Sequence, residues 1–328
     1  MKHYDSLLDV FSNHLNNYIA DVNMRSPKEL YEPQKYILSL GGKRLRPLLA
    51  LISCDLFDKN PDLALDSALA VELFHNFSLI HDDILDNADL RRNKPTVHLK
   101  WNENIGILSG DAMLVKAFTI LEKYPNNKFK KLMSLLNTTA LDVCEGQQMD
   151  MNFESQKNVT VENYIHMISL KTAVLLACSL KMGAINAGAS IANQDNLYKF
   201  GKHLGIAFQL LDDCLDAYPK DSRAFGKKVG GDILANKKTF LLLKTLELLN
   251  KKQAAALLKL LSLKSTNHSK KIQKVLAFYN EVNAKGYCEG EADKHTQIAI
   301  KHLNKVKANQ AKKDLLTSFA LQLLKRQA

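Results

Sequence analysis

Two short acidic clusters carry the chemistry in this sequence. Asp82-Asp83-Ile84-Leu85-Asp86 closes an apolar stretch that begins near Leu63, and Asp212-Asp213-Cys214-Leu215-Asp216 repeats its spacing 130 residues later. On a helix Asp82 and Asp86 are i,i+4 neighbours, so both carboxylates project from one face. Like charges there destabilise the helix, and Asp is a weak helix former, so the arrangement requires a compensating cation. Magnesium fits the requirement, because it takes one or two carboxylates and fills its other positions with water and phosphate oxygens. One such cluster reads equally well as a solvated helix end. Two, at matching depth on apolar helices, can face each other as carboxylates do in helical metal proteins. With two or three magnesium ions between them they would clamp a diphosphate.

Basic residues follow each cluster in the same order. Arg91-Arg92 come five residues after the first, and Lys227-Lys228 and then Lys237-Lys238 come after the second. Ahead of both lies Gly41-Gly42-Lys43-Arg44-Leu45-Arg46-Pro47, at the head of what reads as the first long helix. Glycine permits close backbone approach to an anion, arginine forks grip phosphate oxygens, and lysine acts as a point charge.

The elements that position these residues are helices. The chain of 328 residues contains only 14 Gly and 7 Pro, too few turn formers for a sandwich or barrel of this size. Apolar residues recur at three and four spacing over Pro47–Leu56, Leu63–Ile84, Ile107–Lys123, Phe129–Met151, Val161–Ala187, Asp195–Tyr218 and Lys238–Leu249. No interdomain linker or internal repeat is visible, so residues 1–328 are expected to form one all-α domain, an antiparallel helical bundle around a deep central cavity. The longest uninterrupted apolar run, Ala173 to Cys178, is six residues. About 18 are needed to span a membrane, so no span is expected. No apolar leader follows Met1-Lys2-His3-Tyr4-Asp5, and a cytoplasmic protein is expected. Five widely spaced cysteines without a CxxC pair read as buried, reduced thiols. The net charge of +11 resides entirely in residues 251–328, with 16 Lys/Arg against 5 Asp/Glu. Solvated faces of amphipathic helices account for it better than a nucleic-acid or membrane patch.

Taken together, the motifs identify a resemblance. From about residue 30 to 250 the chain resembles the trans-isoprenyl diphosphate (polyprenyl) synthases. The likeness rests on Gly41–Pro47, the first cluster running into Leu90-Arg91-Arg92, Lys171-Thr172, Phe208-Gln209-Leu210-Leu211-Asp212-Asp213, and Gly226-Lys227-Lys228-Val229-Gly230-Gly231-Asp232. It implies a magnesium-dependent prenyltransferase that joins isopentenyl diphosphate to an allylic diphosphate (dimethylallyl, geranyl or farnesyl) through an allylic carbocation. It implies further that Lys43, Arg46, His75 and Arg92 bind the isopentenyl diphosphate. Asp82, Asp86 and Asp212 would ligate magnesium, with Asp83, Asp213 and Asp216 acting nearby or through water. Arg91, Lys171, Lys227 and Lys237 would contact the allylic diphosphate, and the oxygens of Thr172 and Gln209 would stabilise positive charge near its reacting carbon.

Product length, on this resemblance, is set by Phe77 and Ser78, five and four residues before Asp82. An aromatic followed by a small residue there resembles short-chain enzymes of the geranylgeranyl type, with farnesyl and longer products as alternatives. A helical terpene synthase and a non-catalytic partner subunit compete less well. The first would lack the Lys43–Arg46 motif, and the second would have lost aspartates from one cluster. A homodimer is expected both from the resemblance and from the abundance of apolar residues on the long helices.

Overall fold

The computed structural model describes residues 2–219, 230–263 and 267–325. Their regular secondary structure is helical apart from one two-stranded ladder of two residues per strand. The fold is all-α, as the periodicity leads one to expect. The chain divides into two compact units, the first made of Met1–Thr138, Cys178–Tyr198 and Val306–Asp314 and the second of Thr139–Ala177, Lys199–Lys305 and Leu315–Ala328.

Unit 1 contains α1 (Lys2–Asn23), α2 (Lys28–Ser39), α3 (Leu45–Asp55), α4 (Leu65–Leu85), the hairpin β1 (Leu90–Arg91) and β2 (Lys94–Pro95), α5 (Val97–Lys100) and α6 (Glu103–Thr119). The first part of α7 (Asn126–Ser155) also belongs to it. The Gly41–Pro47 motif opens α3, the third helix rather than the first. Tyr4, Leu7, Phe11 and Leu15, spaced by three and four, bury the face of α1 that precedes it. At the core of the unit, α4 is buried without interruption from Ser67 to Phe74 and packs on α3 and α6. Each fully buried leucine or phenylalanine contributes about 1.5–3 kcal/mol, which fixes α4 firmly enough to carry charged groups at its end.

Unit 2 contains the remainder of α7, α8 (Val161–Ile168), the start of α9 (Val174–Asn186), most of α10 (Ile191–Ala217), α11 (Gly231–Leu234), α12 (Phe240–Leu248), α13 (Lys251–Ser262), α14 (His268–Glu281), α15 (Ala284–Asn304) and most of α16 (Gln310–Lys325). The stretch Val161–Ala187, expected as one helix, is interrupted by a π turn at Ser169–Ala173. Apolar spacing does not reveal a single widened turn, and such turns are frequent at functional sites. Two glycines give it room. A Cβ on Gly146 of α7 would lie 2.3 Å from the Lys171 nitrogen, and one on Gly205 of α10 would lie 2.6 Å from the Ala173 Cα.

The argument from uninterrupted apolar runs and the reading of all five cysteines as buried need correction. Pro61–Leu85, Glu103–Lys123 and Val161–Asn186 are each long and apolar enough, by length and composition alone, to cross a membrane. Counting uninterrupted runs missed them because isolated polar residues such as Glu72 and His75 break the runs without lowering the average enough. In the fold 61% of the first window and 78% of the third are buried inside the protein, as central helices of a large core are. Cys144 is exposed, unlike Cys54, Cys178, Cys214 and Cys288. It lies on the outer face of α7.

Three histidines meet in unit 2. His203 on α10 and His295 on α15 share a hydrogen bond between their Nδ1 atoms at 2.9 Å, and the His302 ring stacks on His203 at 6.1 Å. One ring of the bonded pair donates and the other accepts, so at least one is neutral. Burial, together with His295 and His302, holds the His203 imidazole down at about 4. Burial also lowers His295, against Glu291, which pulls the other way from 3.5 Å. An unfolded chain takes these protons at about 6.5. The unfolded state therefore binds more protons below that pH, and stability falls as pH drops from about 6.5 towards 4. Urea unfolding at pH 7 and pH 5 should show His203→Asn losing about 1–2 kcal/mol less than the parent on acidification. Equal losses would remove His203 from the acid response.

Candidate active site

The loop before α3 is built to bring cations together. Gly41 (φ 79°), Gly42 (φ 132°) and Arg44 (φ 45°) all lie in left-handed space, which costs glycine nothing. The Arg92 guanidinium occupies the place of a Gly42 side chain, 2.8 Å from where its Cβ would be, and donates to the Gly41 carbonyl. Arg44 turns inward to the buried Glu72 of α4 and to the Leu38 carbonyl. Asn76, one turn further along, donates to the same Glu72 carboxylate at 3.0 Å. Arg46 donates to His75 Nε2 at 3.2 Å.

Burial and the charges of Arg46, Arg92, Arg91 and Arg44 push His75 well below its ordinary range, so it is neutral and able to accept. Burial lowers Arg46 to about 10, with Glu72 opposing, which leaves it charged at neutral pH. Its Nε–H is buried with no partner. Four arginines thus surround one neutral imidazole and one buried carboxylate, with Lys43 exposed alongside. That excess of positive charge and the orphaned donor fit an anion with several oxygens.

The first aspartate cluster lies at the far end of α4. Asp86 is the C-cap residue, and Asn87 (φ 47°) stops the helix. The Asn87 and Ala88 N–H groups return to the Ile84 and Asp83 carbonyls at 3.2 and 2.9 Å, the double closure typical of a left-handed stop. Asp82 is half-buried and Asp86 exposed. Asp83, about 100° further round the helix, points inward instead, and Arg91 holds both its oxygens, with Nε at 3.1 and 3.2 Å. The hairpin makes this possible. Arg92 and Asn93 (φ 53° and 61°) form its two-residue turn, whose twist matches that of paired strands, and Arg91 is thereby directed back to α4. Arg91, which the resemblance assigns to the allylic diphosphate, pairs with Asp83 in the structure.

Among the described residues no three His, Cys, Asp or Glu side chains gather into a cage for a metal. Two carboxylates one helical turn apart suit magnesium, which draws its remaining ligands from water and phosphate.

Phe77 packs edge-on against Phe74 and His81, at centroid distances of 5.5 and 4.7 Å, and His81 reaches the Ile107 carbonyl of α6 at 3.2 Å. It lies about 140° round α4 from Asp82. Ser78 stands one turn before Asp82, and its hydroxyl donates to the His75 carbonyl at 2.9 Å.

In unit 2 the π turn presents Lys171 and Thr172. Lys171 Nζ pairs with Asp150 of α7 at 2.6 Å. Thr172 Oγ1 donates to Gln209 Oε1 at 3.3 Å, and Gln209 Nε2 donates to Asp213 at 3.1 Å. Tyr164 of α8 donates its hydroxyl to the other Asp213 oxygen. Burial pushes the Asp213 carboxyl well up, with Asp232 and Asp212 adding to it and Tyr164 and Gln209 opposing. Asp216 is buried and accepts the Asp232 N–H at 3.1 Å, capping the first turn of α11. Asp212 is half-buried. Lys237 is exposed and follows Asn236 (φ 55°), the left-handed residue that ends α11. Lys227 and Lys228 lie outside the described residues.

Sequence reasoning missed Asp150 and Tyr164. The polar interruption Gly146-Gln147-Gln148-Met149-Asp150 within α7 was the available signal for the first. Tyr164 fits its helix's apolar spacing and carries none.

A sequence model of the family described as Polyprenyl synthetase matches residues 27–279. The chain belongs to that family. It is similar to the geranylgeranyl diphosphate synthase of Methanosarcina mazei, at 40% identity over 248 residues, 74% of this chain and 76% of that protein. It is also similar to the short chain isoprenyl diphosphate synthase of Methanothermobacter thermautotrophicus, 33% identical over 325 residues, which are 98% of this chain and 97% of the other. A crystal structure of a geranylgeranyl pyrophosphate synthase superposes with a TM-score of 0.93 at 44% identity, covering 99% of both chains. The family match reaches residue 279, beyond residue 250 where the motifs end, and so takes in nearly all of α14.

In this polyprenyl synthetase the Arg91–Asp83 pair gives a direct test of the inward-facing aspartate. Arg91→Ala leaves a buried carboxylate unpaired and should cost about 3 kcal/mol in urea unfolding. A change below about 0.5 kcal/mol would show the pair to be a surface contact.

Proposed function

We propose that this polyprenyl synthetase joins isopentenyl diphosphate head to tail to an allylic diphosphate and stops at twenty carbons. One observation supports the reading: α4 carries a cationic pocket around His75 and a pair of carboxylates at its C-terminal end. His75 lies in a cationic pocket that needs no metal, and seven residues on, about 10 Å along the axis, Asp82 begins a pair of carboxylates. The two substrates differ in the same way. The diphosphate of isopentenyl diphosphate stays on the product and needs only to be held. The allylic diphosphate departs and must be neutralised as it goes.

Lys43, Arg46, His75 and Arg92 hold the first diphosphate, with the Arg46 Nε–H gaining its missing acceptor. Asp82, Asp86 and Asp212 ligate two or three magnesium ions. Bound there, magnesium neutralises the allylic diphosphate and stabilises the departing pyrophosphate. Asp83, Asp213 and Asp216 act on this site through the neighbours they hold and through water. Arg91, Lys171, Lys227 and Lys237 contact the allylic diphosphate, Arg91 while it also pairs with Asp83. Thr172 and Gln209, fixed by their mutual hydrogen bond, direct oxygen dipoles at the allylic carbon as positive charge develops. The double bond of isopentenyl diphosphate then attacks that carbon, and the proton it loses passes to the released pyrophosphate.

Twenty carbons are favoured by the names of the relatives and by Phe77, whose ring is braced by Phe74 and His81 and resists displacement by a longer chain. The whole chain acts as one catalytic domain in the cytoplasm. Ile107, Leu108 and Val115 expose an apolar face on α6, which a second copy covers in a homodimer.

Asp82→Ala and Asp212→Ala should each lower turnover by several orders of magnitude without loss of helical content, and EDTA should abolish activity until magnesium is restored. Near-parental turnover of either variant in saturating magnesium would refute the metal role. Product sizing should give a twenty-carbon diphosphate from the parent, at least twenty-five carbons from Phe77→Ala and fifteen from Ser78→Phe. An unchanged product from active Phe77→Ala would show that another residue sets the length.

A further inference from the structure

The motifs end before α13, yet α14 reaches back to the segment that carries Lys237. Lys271, near the start of α14, is 7% exposed, unusual for a lysine unless acceptors surround it. Its ammonium has three: the Leu261 carbonyl at 2.7 Å, the Leu263 carbonyl at 3.4 Å and Asn236 Oδ1 at 3.3 Å. They match its three donors. The two carbonyls lie at the C-terminal end of α13, where backbone acceptors lack helical partners and a cation is favoured. The third acceptor is the side chain of the residue that ends α11.

Two further contacts tie α14 to the same stretch of chain. Ile272 fills the space beside Gly230 (φ 71°), with its Cδ1 2.9 Å from where a Cβ would be, so only glycine fits there. Asn280, near the other end of α14, accepts the Tyr218 hydroxyl at 2.8 Å. Tyr218 follows α10 directly, so α14 holds the chain both just after the second aspartate cluster and again at Gly230 and Asn236. The Asn236 backbone must stay left-handed for α11 to stop where it does. The Lys237 N–H then returns to the Asp232 carbonyl at 2.9 Å, and Asp232 is itself anchored on Asp216.

We propose that Lys271 is a positioning residue for the allylic-diphosphate end of the site. By holding the Asn236 side chain it fixes the turn that delivers Lys237, and it touches no substrate itself. The proposal rests on the reading of Lys237 as a diphosphate contact.

Steady-state kinetics with each substrate varied in turn provide the test, on Lys271→Met, Asn236→Ala, their double variant and Lys237→Ala. Lys271→Met should raise the KM for the allylic diphosphate roughly tenfold, with the KM for isopentenyl diphosphate and kcat nearly unchanged; Asn236→Ala should do the same, and the double variant should be no worse than either. A merely structural lysine would lower the melting temperature and leave the ratio of the two KM values at the parental level, and that result overturns the proposal. Additive effects in the double variant also overturn it. If Lys271→Met yields no folded protein, Asn236→Ala carries the test, and a parental allylic KM in that variant is the overturning result. Lys237→Ala with a parental allylic KM would refute the diphosphate role of Lys237 and this proposal with it. An impaired Lys237→Ala beside a parental Lys271→Met would refute the positioning role alone.

Discussion

Both acidic clusters occupy the end of a helix that is already negative, and much of the surrounding structure follows from that placement. Asp82, Asp83 and Asp86 fall in the last turn and cap of α4, and Asp212, Asp213 and Asp216 fall in the last six residues of α10. Each carboxylate there opposes the helix dipole by about 0.3–1 kcal/mol, and i,i+4 repulsion adds a few tenths more. The fold compensates some of them internally. Asp83 takes Arg91, Asp213 takes Tyr164 and Gln209, and Asp216 takes the backbone of α11. On the proposed reading, cations from solution add to the compensation of Asp82, Asp86 and Asp212 and bring phosphate oxygens with them.

The arginine pocket solves the opposite problem. Arg44 and Arg46 enter at the head of α3, and Arg91 and Arg92 arrive from the hairpin. The Glu72 carboxylate and the neutral His75 lie among them. The pocket is therefore stable only because part of its charge is spent on fixed partners: Arg44 on Glu72, Arg91 on Asp83 and Arg92 on the Gly41 carbonyl. Arg46 keeps an orphaned, buried Nε–H. A long buried helix, α4, ties the two solutions together. It holds a cationic pocket at one level and an anionic pair two turns on, and its burial keeps that spacing rigid.

The all-α fold, the two aspartate clusters and the order of basic residues were legible in the sequence, because helical periodicity and i,i+4 spacing are local properties. The division of labour within each cluster was not. Asp82 and Asp83 look alike as text, and the difference between them depends on Arg91 returning through a turn made by two left-handed, non-glycine residues. The π turn escaped because widening one turn leaves the apolar pattern on either side intact, and the glycines that leave room for it, Gly146 and Gly205, lie on other helices. Lys271 escaped for a related reason. In a segment whose excess of lysine reads as solvated surface, one lysine points inward, and only the carbonyls it meets distinguish it.

The central claim is that the chain binds diphosphate in two distinct ways, one through the cationic pocket of Lys43, Arg46, His75 and Arg92 and one that requires a divalent cation. Titration calorimetry with inorganic pyrophosphate, with and without magnesium, tests it most directly. One binding event should appear without the metal and should be lost in Arg46→Ala. A second should appear only with magnesium, and should vanish in Asp82→Asn while the first persists. A single isotherm, identical with and without magnesium, would contradict the account.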